Sequence, residues 1–203
     1  MKRISLTLLA TLVGLIAAPL AAQELYFGGG VAYTNGTSDA YEIGPTSDLD
    51  AGMLSLIVGQ RFAGGNGFWG WETSADLSFG KETNETGTAG TCAADGANAP
   101  YLCEHKATLR LVGVYGAPIG DGTEIYGTLG VGMLMGDYAN DFFATESAMT
   151  YGLTAGIGVN GELRNGLIAR AEVIYDDFGN TTQEANVSDY NGTAVRFALL
   201  RKF

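Results

Sequence analysis

The chain contains repeated segments of about ten residues in which apolar side chains alternate with polar or small ones. In 68–79, the clearest example, Trp69 and Trp71 fall on one face of an extended chain. Glu72 and Asp76 fall on the other face. A period of two residues is the pattern of a β-strand with one apolar face, so the sequence predicts an all-β domain. Eight segments show this pattern: 24–34, 52–62, 68–79, 106–118, 124–136, 150–160, 167–176 and 193–203.

The connections between these segments alternate between long and short. Short, glycine-rich turns follow the second, fourth and sixth segments, as in 63–67 and 119–122. We predict long loops between the other segments, and they cover 35–51, 80–105, 137–148 and 176–191. An antiparallel arrangement of eight strands then places all the long loops at one end of the domain and both chain termini at the other.

The hydropathy of the chain favours a membrane protein that crosses the bilayer with strands. Only 16% of the residues are charged, and no apolar run after residue 22 approaches the length of about 20 residues that a membrane helix needs. In lipid every backbone polar group must be paired within the protein, and a closed β-barrel is the other structure that achieves this. Alternation alone does not show which face points outward, so a soluble barrel with an apolar interior is the alternative.

The first 22 residues have the organisation of a secretion signal. Lys2 and Arg3 precede an apolar stretch over 8–18, and the small-residue segment 19–22 follows it. This order is typical of a cleaved signal peptide, and the apolar stretch is short for a membrane helix. We therefore expect cleavage after Ala22, with 1–22 as signal peptide and 23–203 as the barrel domain. An uncleaved N-terminal anchor is the alternative.

The C-terminal segment 193–203 alternates and ends on Phe203. It resembles the last strand of bacterial outer-membrane barrels, whose terminal Phe is read by the barrel assembly machinery. Arg201 departs from that pattern, because the family prefers an apolar or aromatic residue two positions before the end. With the strand pattern and the loop asymmetry, the whole chain after residue 22 resembles the small eight-stranded outer-membrane barrels, the OmpA/OmpX-like, porin-like group.

The resemblance implies an all-β fold, an eight-stranded antiparallel transmembrane β-barrel with four long extracellular loops and short periplasmic turns. It also implies export to the outer membrane of a Gram-negative cell, among lipid and lipopolysaccharide. Members of the group have structural, adhesive or surface-recognition roles, so we expect no catalytic, cofactor-binding or metal site and no enzyme activity. A narrow porin-like pore is one alternative.

A lipid A-modifying enzyme is the other alternative. Such barrels use a His together with a Ser and a carboxylate, as general-base chemistry requires. The one histidine here is His105, at the outer end of the fourth segment, and Ser78, Ser147 and Glu104 are the residues that could approach it. No His-x-Ser motif is present. We therefore interpret His105 as a loop residue.

Six charged residues fall on the face opposite the apolar one: Glu72, Asp76, Arg110, Arg170, Glu172 and Arg196. If the apolar face meets lipid, these side chains point into the lumen. An eight-stranded barrel is only wide enough for its own side chains to fill. Three acidic and three basic groups therefore predict ion pairs that close the lumen, since buried charges need partners. An ion path or a gate is the alternative interpretation.

The formal charge of −11 excludes a typical nucleic-acid-binding surface, which is basic. The predicted long loops contain fifteen of the 22 carboxylates, whereas Arg61 and Arg164 are assigned to the short turns at the other end. We consider weak divalent-cation binding at the extracellular loops, beside the simpler interpretation of a solvated acidic surface. The acidic residues concerned are Asp48, Asp50, Asp137, Asp141, Asp176, Asp177, Glu184 and Asp189.

The two cysteines, Cys92 and Cys103, both fall in the longest predicted loop. An exported chain meets an oxidising compartment, so we expect a disulfide between them. Two free thiols are the alternative. The spacing fits no zinc site.

Overall fold

The computed structural model describes residues 23–39, 46–79, 101–140, 143–179 and 189–203. All eight predicted strands are present in it, and a short 3-10 turn, Arg164–Gly166, precedes the seventh. The strands are β1 (Gln23–Asp39), β2 (Thr46–Gly64), β3 (Gly67–Ser78), β4 (Tyr101–Gly120), β5 (Thr123–Asn140), β6 (Phe143–Glu162), β7 (Leu167–Phe178) and β8 (Asp189–Lys202).

Each strand pairs antiparallel with the next, and β1 also pairs with β8, so the sheet closes into a barrel. At the closing seam Val31 lies opposite Phe197, and the ladder continues to Asp39 opposite Asp189. Closure leaves no unpaired sheet edge along the wall, which satisfies the backbone of every strand. The predicted eight-stranded antiparallel barrel is confirmed. Among the residues described, no helix has the length and apolar character needed to cross a bilayer.

The apolar face of the barrel points outward. Leu56, Leu129 and Leu153 are more than 60% exposed, whereas their lumen-facing neighbours on the same strands are largely buried. Aromatic side chains lie at the short-turn end of this outer face, where Phe62 stacks on Trp69 with ring centroids 4.4 Å apart. This arrangement is the reverse of a soluble barrel, which buries its apolar face inside.

The strands extend further toward the long-loop end than the sequence predicted. The β1–β2 ladder continues to Asp39 opposite Thr46, and the β5–β6 ladder continues to Asn140 opposite Phe143. The predicted loops 35–51 and 137–148 are therefore largely strand, which corrects their boundaries. In these extensions the outward residues become polar, as at Asp48 and Asp50. The apolar alternation thus ends before the hydrogen-bonded ladder does.

Glycine on the lumen side makes room for two tyrosine rings. A Cβ atom at Gly59 would lie 2.4 Å from the ring of Tyr26, and one at Gly158 would lie 2.5 Å from the hydroxyl of Tyr126. Both distances are far below van der Waals contact, so only glycine fits at these positions. The rings thereby fill the part of the lumen nearer the short turns.

Candidate functional site

A network of charged side chains occupies the middle of the lumen. Each member is 5% exposed or less, and the strands β3, β4, β7 and β8 supply all of them. Six are the residues predicted to point inward. The seventh, Asp176, was predicted both as the last residue of the segment 167–176 and as the first residue of the loop that follows. The network consists of Glu72, Asp76, Arg110, Arg170, Glu172, Asp176 and Arg196.

Arg110 forms the end of the network nearest the long loops. Its Nε and Nη2 donate to the two carboxylate oxygens of Asp176 at 2.9 and 2.5 Å. Its Nη1 donates to Asp76. The contact with Asp176 is bidentate, because the planar guanidinium group matches the geometry of a carboxylate. Asp176, at the boundary between the predicted strand and the predicted loop, is a buried strand residue, because β7 continues past it to Phe178.

Arg196 connects the two halves of the network. Its Nη2 lies 2.6 Å from Glu172 Oε2 and 3.4 Å from Glu72 Oε1. Its Nη1 lies 3.7 Å from Asp76 Oδ1. One guanidinium group thus interacts with three carboxylates from two strands, β3 and β7. Asp76 is shared with Arg110 and Glu72 with Arg170, so the seven charges form one continuous set.

Arg170 forms the lower part of the network, toward the short turns. Its Nη1 donates to Glu72 Oε2 at 2.5 Å, and its Nε donates to Asn160 Oδ1 at 3.1 Å. The hydroxyl of Tyr26 donates to the same Glu72 oxygen at 2.8 Å. The guanidinium carbon also lies 4.6 Å from the ring centroid of Tyr126, which favours a cation–π contact.

Four carboxylates and three guanidinium groups leave one net negative charge in the network. Charges removed from water in this way are tolerated when they are paired and hydrogen-bonded. Because the members come from strands on opposite sides of the barrel, their contacts cross the lumen. The arrangement is suited to closing the lumen and fixing the cross-section of the barrel.

Apolar clusters lie on both sides of the charged network. At the long-loop end, one is formed by Leu49, Leu134, Phe178 and Tyr190. At the short-turn end, another is formed by Tyr26, Ile57, Ile168, Ala198 and Leu200. The charged layer is thereby separated from water at both mouths, which strengthens its internal electrostatic interactions.

His105 lies in β4 and is 1% exposed, so its interpretation as a loop residue is wrong. Its Nε2 lies 2.6 Å from Thr108 Oγ1, and its ring meets the edge of Tyr190 with centroids 5.6 Å apart. Because β4 extends toward the long loops, this histidine lies in the part of the lumen nearest those loops. Ser147 is among the residues whose side chains are not described.

One further charged residue was misplaced by the sequence analysis. Arg61, assigned to a short turn, lies in β2 with its side chain buried, and its Nη2 is 2.5 Å from Glu124 Oε2. Both residues share the parity of the lumen-facing positions on their strands. Alternate residues of each strand face the lumen. When this alternation is continued to the strand ends, it identifies these two residues and also Asp176 as lumen-facing.

Phe203 lies on the outer surface at the short-turn end. Its ring stacks on Phe27 with centroids 5.0 Å apart, and its backbone N–H donates to the carbonyl of Leu25 at 2.9 Å. The guanidinium carbon of Arg201 lies 5.7 Å from the same ring. The terminal aromatic is therefore anchored to β1 beside the closing seam. Its role as assembly signal stays a prediction.

Several predicted features lie outside the described residues. These are the signal peptide 1–22, Cys92, Asp141 and Glu184. For Cys103 only the backbone is described, as part of β4, so the disulfide stays a prediction. Within the described part of the chain, no group of three or more His, Cys, Asp or Glu residues is arranged to hold a metal ion.

By sequence, the chain matches no family profile and no curated protein. By structure it is similar to Ail of Yersinia pestis, with a TM-score of 0.54, 16% identity and coverage of 90% of this chain and 99% of that one. It is also similar to OprG of Pseudomonas aeruginosa, with a TM-score of 0.55, 16% identity and coverage of 90% of this chain and 96% of that one. For Neisserial surface protein A the TM-score is 0.53, the identity is 10%, and the coverage is 88% of this chain and 97% of that one. The chain therefore has the fold of the small eight-stranded outer-membrane β-barrels.

Proposed function

We propose that this protein is an outer-membrane β-barrel with a structural or surface-interaction role and a lumen filled by side chains. The observation that carries the proposal is the reversed distribution of side chains, with large apolar residues outside and the charged network inside. In water such a surface would expose a continuous apolar band, which soluble proteins avoid. In lipid the same band is buried, and the polar groups are enclosed.

Fractionation tests the proposed location. We expect the mature chain to begin near Gln23 and to be recovered with outer membranes rather than with soluble periplasmic proteins. In detergent, the folded barrel should migrate faster on a gel than the boiled chain, because the closed hydrogen-bonded sheet resists the detergent until it is heated. Recovery in the soluble fraction, together with heat-independent migration, would contradict the proposal.

A non-enzymatic role agrees with the position of His105. Lipid A lies in the bilayer outside the barrel, whereas the His105 ring is buried in the lumen against Thr108 and Tyr190. A general base must come within hydrogen-bonding reach of its substrate. The described geometry therefore favours a polar core residue over a lipid A-modifying catalyst.

A narrow polar path is the second candidate function. The hydroxyl groups of Tyr126, Thr150 and Thr154 are buried and have no hydrogen-bond partner among the described residues. They lie on β5 and β6, which contribute no charged side chain to the network. Buried polar groups are usually satisfied by internal water, so this wall could carry a file of water molecules.

Conductance in planar bilayers separates the two candidates. A closed lumen predicts no steady current, whereas a narrow path along β5 and β6 predicts small, steady steps. Thr154→Trp should abolish such steps by filling that side of the lumen, and Leu153→Trp, on the outer face of the same strand, should leave them unchanged. Steps that persist in Thr154→Trp would contradict the path along β5 and β6.

Exposed carboxylates at the long-loop end support a contact with lipopolysaccharide through divalent cations. Asp48, Asp50, Asp177 and Asp189 are exposed at this end of the barrel. Lipopolysaccharide phosphates are also anionic, so direct contact would be repulsive at short range. Calcium or magnesium can bridge two anionic surfaces through oxygen ligands. The barrel assembly machinery and membrane lipid are the other partners that the proposed location requires.

Calorimetric titration of the detergent-solubilised protein tests this contact. We expect weak, saturable binding of calcium and magnesium at millimolar concentration, with an increase in thermal stability. Sodium at equal ionic strength is the control for screening. If neither heat nor stabilisation is seen, the acidic end is only a solvated surface.

A further inference from the structure

A cavity of about 720 Å3 opens at the short-turn end of the barrel. Its volume is in the range of sites that bind small ligands. The lining includes two basic residues, Arg61 and Lys202, and two acidic ones, Glu24 and Glu124. The lining of this cavity therefore combines charges of both signs.

Arg61 forms a fixed cationic wall of this cavity. Its side chain is 5% exposed, and Glu124 holds its Nη2 at 2.5 Å. The guanidinium carbon also lies 3.4 Å from the ring centroid of Phe68. Its Nε has no hydrogen-bond partner among the described residues. A buried guanidinium donor without a protein acceptor is unfavourable, so a water molecule or a ligand oxygen that reaches it would be stabilising there.

Lys202 supplies a second, less restrained cation at the rim. Its Nζ lies 3.6 Å from Glu24 Oε2 and 3.9 Å from Glu162 Oε1. Both distances exceed hydrogen-bonding range, so these are loose ion pairs. The side chains of Glu24 and Glu162 are about half exposed, at 52% and 51%. The ammonium group of Lys202 and the carboxylate of Glu24 can therefore each take a closer partner of opposite charge.

We propose that this cavity binds a small zwitterion, with its anionic group at Arg61 and Lys202 and its ammonium group at Glu24. A simple anion would also meet the carboxylates of the lining, and a simple cation would meet the two basic groups. Only a ligand with both charges complements both sets. This binding site is separate from the charged network of the lumen. Its exposure to the periplasm rests on the proposed outer-membrane location.

Two sources of such a ligand are distinguishable. One is a free solute, for which phosphoethanolamine is the probe. The other is the phosphoethanolamine headgroup of a phospholipid in the adjoining leaflet. Both present a phosphate and a primary ammonium group joined by a two-carbon chain.

The test is a titration of the detergent-solubilised full chain, in a maltoside detergent, followed by calorimetry and by NMR shifts of the Lys202 and Glu24 amides. We expect saturable binding of phosphoethanolamine and at least tenfold weaker binding of inorganic phosphate or ethanolamine alone. Lys202→Gln and Glu24→Gln should each weaken binding about tenfold, the size of one lost charged contact. Lys106→Gln, at the opposite end of the barrel, is the matched control and should not change the affinity.

Several outcomes would overturn the proposal. They are no binding of phosphoethanolamine, equal binding of inorganic phosphate, or an affinity that is the same in Lys202→Gln and in the control. Nanodiscs then identify the source. Amide shifts already present in phosphatidylethanolamine discs, but not in phosphatidylglycerol discs, assign the site to the headgroup. Shifts that arise only when soluble phosphoethanolamine is added assign it to a free solute.

Discussion

Replacing Arg110 by methionine is expected to destabilise the barrel by about 3–5 kcal/mol, the cost of breaking a buried ion pair by removing one partner. Arg110 is the described partner of both Asp176 oxygens and also contacts Asp76. Methionine keeps most of the side-chain length but removes every donor. Asp176, whose side chain is 2% exposed, then loses its cation without access to water.

Urea unfolding of the protein reconstituted in liposomes measures this loss. Asp176→Asn in the Arg110→Met background should restore a large part of it, because the asparagine carries no charge. Lys106→Met is the matched control, since the Lys106–Asp137 pair lies at the surface with the lysine side chain 45% exposed. Exposed pairs contribute about 0–1 kcal/mol. An Arg110→Met barrel as stable as that control would show that water reaches the network.

Much of the fold followed from the alternation of side chains alone. The segment 68–79 placed Glu72 and Asp76 in the lumen because the period of two was regular there, and the structure buries both. The closed barrel followed from the need to pair every backbone group in lipid. These features depend on local pattern and on a general constraint, so a single sequence was sufficient.

The strand ends and the partners within the lumen did not follow from the sequence. Asp176 was predicted as the last residue of its strand and counted among the acidic loop residues, yet the β7–β8 ladder continues to Phe178 opposite Tyr190. Beyond the apolar band the outward residues become polar, as at Asp177, so apolar character no longer marks the outer face, although the alternation of burial continues. Which carboxylate meets which arginine depends on the stagger of the strands around the barrel, which no local pattern records.

The same constraint explains why Arg61 and Glu124 were not recognised as a pair. They lie on β2 and β5, which are not neighbours in the sheet, and 63 positions separate them along the chain. Each occupies a lumen-facing position of its strand, but only closure of the barrel brings the two side chains together. Pairs across the lumen are therefore the part of the site that needs the three-dimensional structure.

Replacing Leu129 by arginine is expected to cost about 2–4 kcal/mol if the outer face of the barrel meets lipid, because a charge at the bilayer midplane is not solvated. Leu129 is 67% exposed and lies near the middle of β5, between Gly113 on β4 and Ala155 on β6. On a soluble barrel the same substitution would change stability by no more than about 0.5 kcal/mol, since exposed positions tolerate polar side chains.

Ile119→Arg provides the matched control for Leu129→Arg. Ile119 is similarly exposed, at 61%, but lies beside the turn at the end of β4. There the arginine can extend its head group to water, so the cost should fall to about 0–1 kcal/mol. The measurement is urea unfolding of both variants in liposomes of one lipid composition. Equal stabilities for the two variants would remove the main support for a lipid-facing outer surface, whereas a depth-dependent difference is specific to a membrane-spanning barrel.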